Sequence, residues 1–261
     1  MPDTRYSLYK QTMHPVICQI GPFSIYTYGL MLAVAFIAGA ALAGFRAKKE
    51  GIDREIIFNF LFLVFIWGIL GARLFYVIEN AGYYFREPLE IIMLQHGGLS
   101  WFGGLIAGVI SGGLYLKKKK LSLYEALDLC APFIALAQAI GRIGCLFNGC
   151  CFGRPATRGF YFPVHSEVLL PIQLYSSLAL LFIFIILKLL QDSPHRRGQV
   201  FFAYLLFYSL KRYIVEFWRA DNPEILFGLT LFQLISVLLF AVSLIKLISI
   251  NGTPHGQARG T

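Results

Sequence analysis

Charged side chains are in short supply. Asp, Glu, Lys and Arg make up 14% of the 261 residues, against roughly 25% in soluble domains. With 57% hydrophobic residues and a mean hydropathy of +0.65, this scarcity excludes an ordinary soluble domain and points to a polytopic membrane protein. Acids are scarcer than bases, 14 against 23, giving a net charge of +9. Membrane loops collect Lys and Arg on one side, so the excess does not call for nucleic acid, and no nucleic-acid partner is expected. Cysteine is also sparse and odd in number (Cys18, Cys130, Cys145, Cys150, Cys151), without the spacing of a disulfide scaffold. Internal repeats and low-complexity linkers are lacking. The first residues, Met-Pro-Asp-Thr-Arg-Tyr, lack the basic start and apolar centre of a signal peptide, so the first spanning helix is expected to act as an uncleaved signal.

What is abundant is apolar sequence in windows of about 20 residues, the length that crosses a bilayer. Seven such windows lie near 25–45, 56–78, 99–116, 125–144, 170–190, 199–218 and 225–249. The third is Gly-rich and the sixth holds charges. Loops are short except 79–98 and 145–169. The economical reading is an all-α polytopic bundle forming one integral-membrane domain over 1–261. Basic residues number twelve in the loops after the first, third and fifth windows and in the tail, against six on the other side. By the positive-inside rule the N-terminus is outside and the C-terminus cytoplasmic. Gly104, Gly108 and Gly112, and Ala35, Gly39 and Ala43, recur every fourth residue, a packing signal for helices in lipid.

In that topology the polar residues of the helices collect toward the outer side. Tyr28 opens the first helix, Arg73 lies near the outer end of the second, and His96 and Ser100 flank the start of the third. Arg142 closes the fourth, Gln173 and Tyr175 open the fifth, and Gln233 is early in the seventh. Arg212, Glu216 and Arg219 share one face of the sixth. After Arg142 come Gly144, the Asn148-Gly149 pair, Gly153 and three cysteines. Glycines let backbone approach a ligand closely and expose N–H groups suited to an anion. Arg73, Arg142, Arg212 and Arg219 outnumber the one carboxylate expected beside them. Surplus guanidinium at a dry, outward-facing site calls for an anion, and phospholipid phosphate is the abundant one. Cys145, Cys150 and Cys151 could bind a metal, but no second pair and no accompanying His spacing supports it. They read as small apolar filler at a helix end, and no metal or cofactor is expected.

These residues resemble bacterial prolipoprotein diacylglyceryl transferase over nearly the whole chain, from Pro15 to the seventh window. The motifs are Tyr28-Gly29, Gly71-Ala72-Arg73, Gly97-Gly98-Leu99-Ser100 with Gly103-Gly104-Leu105, and Gly141-Arg142-Ile143-Gly144. Asn148-Gly149, Gly153-Arg154, Pro171-x-Gln173-Leu174-Tyr175, and Tyr208 upstream of Arg212-x-x-x-Glu216-x-x-Arg219 complete the match. Four positions depart from the pattern: Phe102 stands where the family commonly has histidine, Cys145 for asparagine, and Cys150 and Ser176 for glutamate. The resemblance implies an enzyme of the bacterial cytoplasmic (inner) membrane that acts toward the outer leaflet. Phosphatidylglycerol would donate its diacylglyceryl group to the lipobox cysteine of a prolipoprotein signal peptide, releasing glycerol phosphate. Arg142 and Arg212 would take the phosphate, with Arg73 and Arg219 in second place. Tyr28, Asn148 and Tyr208 would orient headgroup hydroxyls, and Glu216 would fix an arginine. Gly153, Gln173, Tyr175 and Ser100 would complete the substrate site among membrane lipids. With Phe102 unable to accept a proton, His96 is the candidate base. Two alternatives stand beside this reading: a related phospholipid-dependent transferase with another acceptor, and a non-catalytic phospholipid-binding membrane protein.

Overall fold

The computed structural model describes residues 15–20, 23–93 and 97–252. Among them are seven long helices: α1 (Thr27–Lys49), α2 (Arg54–Glu79), α4 (Trp101–Lys119), α5 (Leu123–Asn148), α6 (Ile172–Asp192), α7 (Gln199–Glu216) and α8 (Leu231–Gly252). A short α3 (Ala81–Tyr84) and a 3-10 turn over Pro88–Ile92 fill the connection from α2 to α4. Five of the long helices, α1, α2, α5, α6 and α8, are long and apolar enough to cross a membrane. The two that fall short are the Gly-rich α4, whose last turn carries Lys117, Lys118 and Lys119, and α7, which holds Lys211, Arg212 and Glu216.

The fold is mostly helical, consistent with an all-α polytopic membrane protein. Three antiparallel hairpins occupy the connections: β1 (Val16–Ile20) with β2 (Phe23–Tyr26), β3 (Pro155–Phe162) with β4 (Glu167–Leu169), and β5 (Glu224–Leu226) with β6 (Leu229–Thr230). The last one displaces the start of the seventh predicted span. Phe227 and Gly228 both have positive φ, 52° and 72°, the two-residue turn whose twist suits a hairpin. Helix α8 therefore begins at Leu231 instead of near 225.

The chain divides into two compact units, Ala40–Ala126 and the described residues up to Gly39 together with Leu127 onward. In the first, α2 and α4 pack through small residues. A Cβ on Gly71 would strike Ala107 and come within 2.6 Å of the Gly103 carbonyl oxygen, and one on Gly112 would come within 2.8 Å of Phe60 and Val64. This is the close approach that helices in lipid use in place of a hydrophobic drive. Gly71→Ala is expected to cost about 1–3 kcal/mol through overpacking against backbone, read as a lower melting temperature in detergent. Gly113→Ala, with nothing within 4 Å of the new methyl, should leave it unchanged.

In the second unit, Ala131 and Ala135 of α5 pack with Ile183 and Leu187 of α6 and Val200, Ala203 and Tyr204 of α7. Leu180, Ile183 and Leu187 are buried while Phe182, Ile185 and Leu189 are exposed, so α6 turns one stripe to its neighbours and leaves apolar side chains for lipid. Buried polar groups are matched at helix ends. Asp128 Oδ1 accepts from the Phe201 N–H at 2.8 Å and Oδ2 from the Gly198 N–H, which caps α7 from α5. Gln191 Nε2 donates to the Asp128 and Leu129 carbonyls, each at 3.1 Å.

Candidate active site

The larger unit gathers its cations at the ends of α5 and α7. Helix α5 does not stop at Gly144 as the sequence pattern predicts; it runs to Asn148. Gly149, with φ 74°, closes it: its N–H donates to the Leu146 carbonyl at 3.1 Å and the Cys150 N–H to the Cys145 carbonyl at 3.2 Å. This pair of bonds is the Schellman cap, and it needs a residue that tolerates the left-handed region. The Asn-Gly pair is thus a helix cap, not a hairpin turn. The cap sets Cys145 beside Cys150, and Cys151, itself at φ 60°, folds back so that all three sulfurs lie within 4.8 Å of one another.

The loop beyond is tied from several sides. Gln173 is fully buried and its Nε2 donates to the Cys150 carbonyl at 2.6 Å. Gly153 N–H donates to the Leu170 carbonyl at 3.0 Å and Arg154 N–H to the Trp218 carbonyl at 2.9 Å. Gly153 also bridges to Arg219. A Cβ on Gly153 would meet Ile172 at 2.5 Å and the Leu170 carbonyl oxygen at 2.9 Å. That contact accounts for a glycine at this point.

Glu216 is the electrostatic centre. Its buried carboxylate faces Arg212 at 3.0 Å and Arg219 at 3.8 Å, as the i, i+4 and i+3 spacing predicts. The other oxygen accepts from Asn222 Nδ2 at 2.6 Å and from Thr230 Oγ1 at 2.9 Å. Arg212 also lies over the Phe232 ring, 4.5 Å from its centroid. Arg219 is held chiefly by a second carboxylate, with Nε 2.8 Å from Asp221 Oδ1. Burial acts to lower the pKa of that guanidinium, but the Asp221 hydrogen bonds and charge outweigh it and hold the value above the usual range. Among the described residues no ion pair or hydrogen bond engages Arg142. Arg142 and Arg219 both act electrostatically on Arg212, so three guanidiniums meet two carboxylates, Glu216 and Asp221. Lys211 is buried and sits 4.6 Å from the centroid of the Tyr208 ring. Tyr28, in the first turn of α1, is within electrostatic reach of Arg142 and the three cysteines. The thiol of Cys151 is held below the ordinary thiol range by hydrogen bonds from Cys145 and Cys150, with Arg142 and Arg219 adding to the effect against burial.

A family model described as prolipoprotein diacylglyceryl transferase matches residues 15–249. The chain belongs to this family. It is similar to the phosphatidylglycerol–prolipoprotein diacylglyceryl transferase of Halalkalibacterium halodurans, 34% identical over 242 residues that cover 88% of this chain and 84% of that one. The protein of the same name from Bacillus licheniformis is 32% identical over 241 residues, 88% of this chain and 89% of the relative. That of Staphylococcus aureus is 34% identical over 242 residues, 88% of this chain and 86% of the relative.

The family motifs fall into two groups. Tyr28, Arg142, Asn148, Gly153, Gln173, Tyr208, Arg212, Glu216 and Arg219 all belong to the larger unit. Asn148 hydrogen-bonds Cys150, and Tyr175, on α6, is half exposed. Arg73 and Ser100 lie in the smaller unit, and His96 is outside the described residues. The phosphate role in second place for Arg73 is corrected by its bonding. Arg73 is buried and its five N–H groups go to the carbonyls of Glu90, Ile91, Met93, Gly97 and Gly98, with the Tyr84 ring 5.3 Å away. It orders a loop and has no donor left for a lipid. Gly97 and Gly98 have φ of 81° and 80°, which turns their carbonyls to the guanidinium. The Ser100 N–H donates to the Ala72 carbonyl at 2.9 Å, and its hydroxyl lies 3.5 Å from Glu79 Oε1. Arg219 is already paired with Asp221. Sequence reasoning missed Lys211, Asp221, Asn222 and Thr230. Only Lys211, a second cation beside Arg212 in an apolar helix, left a signal.

Proposed function

We propose that this chain transfers the diacylglyceryl group of phosphatidylglycerol to the cysteine thiol of a prolipoprotein lipobox, releasing glycerol phosphate. The observation that carries this reading is the surplus of cations over carboxylates around Arg142, a partly buried guanidinium with no protein partner among the described residues. The acceptor sulfur attacks a glycerol carbon, and the phosphate ester departs as an anion, so the enzyme needs no nucleophile of its own. Its work is to place two lipidic substrates and stabilise the leaving charge. Arg142 binds that phosphate first, with Arg212 held in place by Glu216. Tyr28, Asn148 and Tyr208 orient headgroup hydroxyls, and His96 remains the candidate base. Gly153 and Gln173 hold the loop in shape. Both compact units serve this single activity.

The deciding assay combines purified protein, phosphatidylglycerol and a lipobox peptide. A peptide gaining the mass of a diacylglyceryl group supports the reading. Phosphatidylglycerol binding without transfer would leave the non-catalytic alternative, and transfer only to another acceptor would leave the related transferase.

We further propose that all seven long helices span the bacterial cytoplasmic membrane, with the N-terminus outside and the cationic cluster toward the outer leaflet. The twelve-to-six asymmetry of basic residues supports this orientation. A reporter active only in the periplasm should be silent when fused after Thr261 and active when inserted in the loop 155–169. The reverse pattern would place the cluster at the cytoplasmic face.

A further inference from the structure

The three thiols beyond the cationic cluster have no task in the transfer reaction as its substrates alone define it. Cys145, Cys150 and Cys151 are all free of disulfide bonds and partly buried. Their sulfurs form a triangle with no side longer than 4.8 Å. Three thiolates around one tetrahedral zinc stand ~3.8 Å apart, given a Zn–S bond of ~2.3 Å. The triangle therefore needs only a small contraction to hold an ion. It is also built before any ion arrives. The helix cap fixes Cys145 against Cys150, Gln173 pins the Cys150 carbonyl, and the left-handed turn at Cys151 aims the third sulfur back. His165 fixes the floor, with Nε2 3.1 Å from the Gly149 carbonyl oxygen and its ring 4.0 Å from that of Phe152.

Sulfur-only ligation selects soft or borderline ions, and zinc is one that brings no redox chemistry of its own. Among the described residues no histidine, aspartate or glutamate atom joins the three sulfurs. Four protein ligands make a closed structural site, whereas three leave a position for water or substrate. A zinc ion with three thiolates carries one net negative charge, and Arg142 and Arg219 act electrostatically on Cys151. Tyr28 is within electrostatic reach of the same three sulfurs and of Arg142.

We propose that Cys145, Cys150 and Cys151 form a zinc site whose open fourth position takes the acceptor thiol of the transfer reaction. This rests on the transferase reading. The incoming thiol gives its proton to water and stays on the ion as a thiolate. Its sulfur attacks the glycerol carbon, the C–S bond forms as the C–O bond breaks, and the phosphate ester leaves with the electron pair beside Arg142. The product is a thioether, a poorer ligand than a thiolate, and it departs from the ion. The protein's own cysteines are neither alkylated nor oxidised.

The test begins with metal analysis of the full-length protein purified in detergent without chelator. About one zinc per chain is expected, retained in Cys18→Ser and lost in Cys150→Ser. A different ion in stoichiometric amount, no ion after reloading with zinc, or an undiminished content in Cys150→Ser would overturn the site. Because Cys150→Ser can also fail by misfolding, the wild-type protein is loaded with cobalt(II) and its sulfur-to-metal absorption recorded. A cysteine-containing lipobox peptide should shift that band, and the same peptide with serine should not. No band, or a band indifferent to both peptides, would overturn the substrate role. Transfer activity is followed in parallel. Transfer with no bound metal sinks the zinc site alone, whereas bound zinc and a peptide-dependent shift without transfer sink the transferase reading alone.

Discussion

Arg142→Lys should slow transfer from phosphatidylglycerol roughly 10- to 150-fold, the equivalent of the ~1.5–3 kcal/mol carried by a charge-assisted hydrogen bond. Lysine keeps the charge but loses the planar fork that takes two phosphate oxygens at once. The melting temperature should stay at the wild-type value, because no ion pair or hydrogen bond engages Arg142 among the described residues. Single-turnover rates and thermal melts in the same detergent read both quantities. A wild-type rate would remove Arg142 from the phosphate site, and a large drop in melting temperature would make it a structural residue.

Arg212→Ala should fail in the opposite way, losing fold and activity together. Glu216 is buried at 3% exposure, and without Arg212 at 3.0 Å its nearest cation is Arg219 at 3.8 Å, which Asp221 already binds. Leaving one charge of a buried pair uncompensated costs about 3–5 kcal/mol. Replacing both members with apolar residues avoids that penalty, so Arg212→Leu with Glu216→Leu should melt above Arg212→Ala while remaining inactive. Unfolding by denaturant beside the transfer assay checks the pair. A double variant no more stable than the single one would show that Glu216 holds Asn222 and Thr230 in place more than it balances charge.

The long helices were legible because apolar runs of bilayer length rarely form anything but a membrane helix, and their ends fall within a few residues of the predicted ones except near Leu231. The Arg212–Glu216–Arg219 triad was legible because helical spacing alone places those groups together. What could not be read is whatever depends on partners distant in sequence. Arg73 carries the same motif signal whether it meets a phosphate or five carbonyls, and only the placement of the Glu90, Ile91, Met93, Gly97 and Gly98 carbonyls distinguishes them. Asp221, Asn222 and Thr230 lie in a connection that offers no period. The cysteines were discounted for want of a second pair at zinc-ligand spacing. Their juxtaposition comes instead from the hydrogen bonds of a helix cap, whose geometry no ligand-spacing rule encodes.

The ties on the loop after α5 also bear on the order in which the protein is made. Its cap is local, complete once Cys150 has emerged. Its outer bonds are not: Gly153 waits for Leu170, Cys150 for Gln173, and Arg154 for the carbonyl of Trp218, 64 residues later. Glu216 in turn waits for Thr230. Domains fold as their chain is synthesised from the N-terminus, so this loop cannot lock when α5 enters the bilayer. The cationic cluster becomes a finished site only when α7 and the hairpin before α8 have been made.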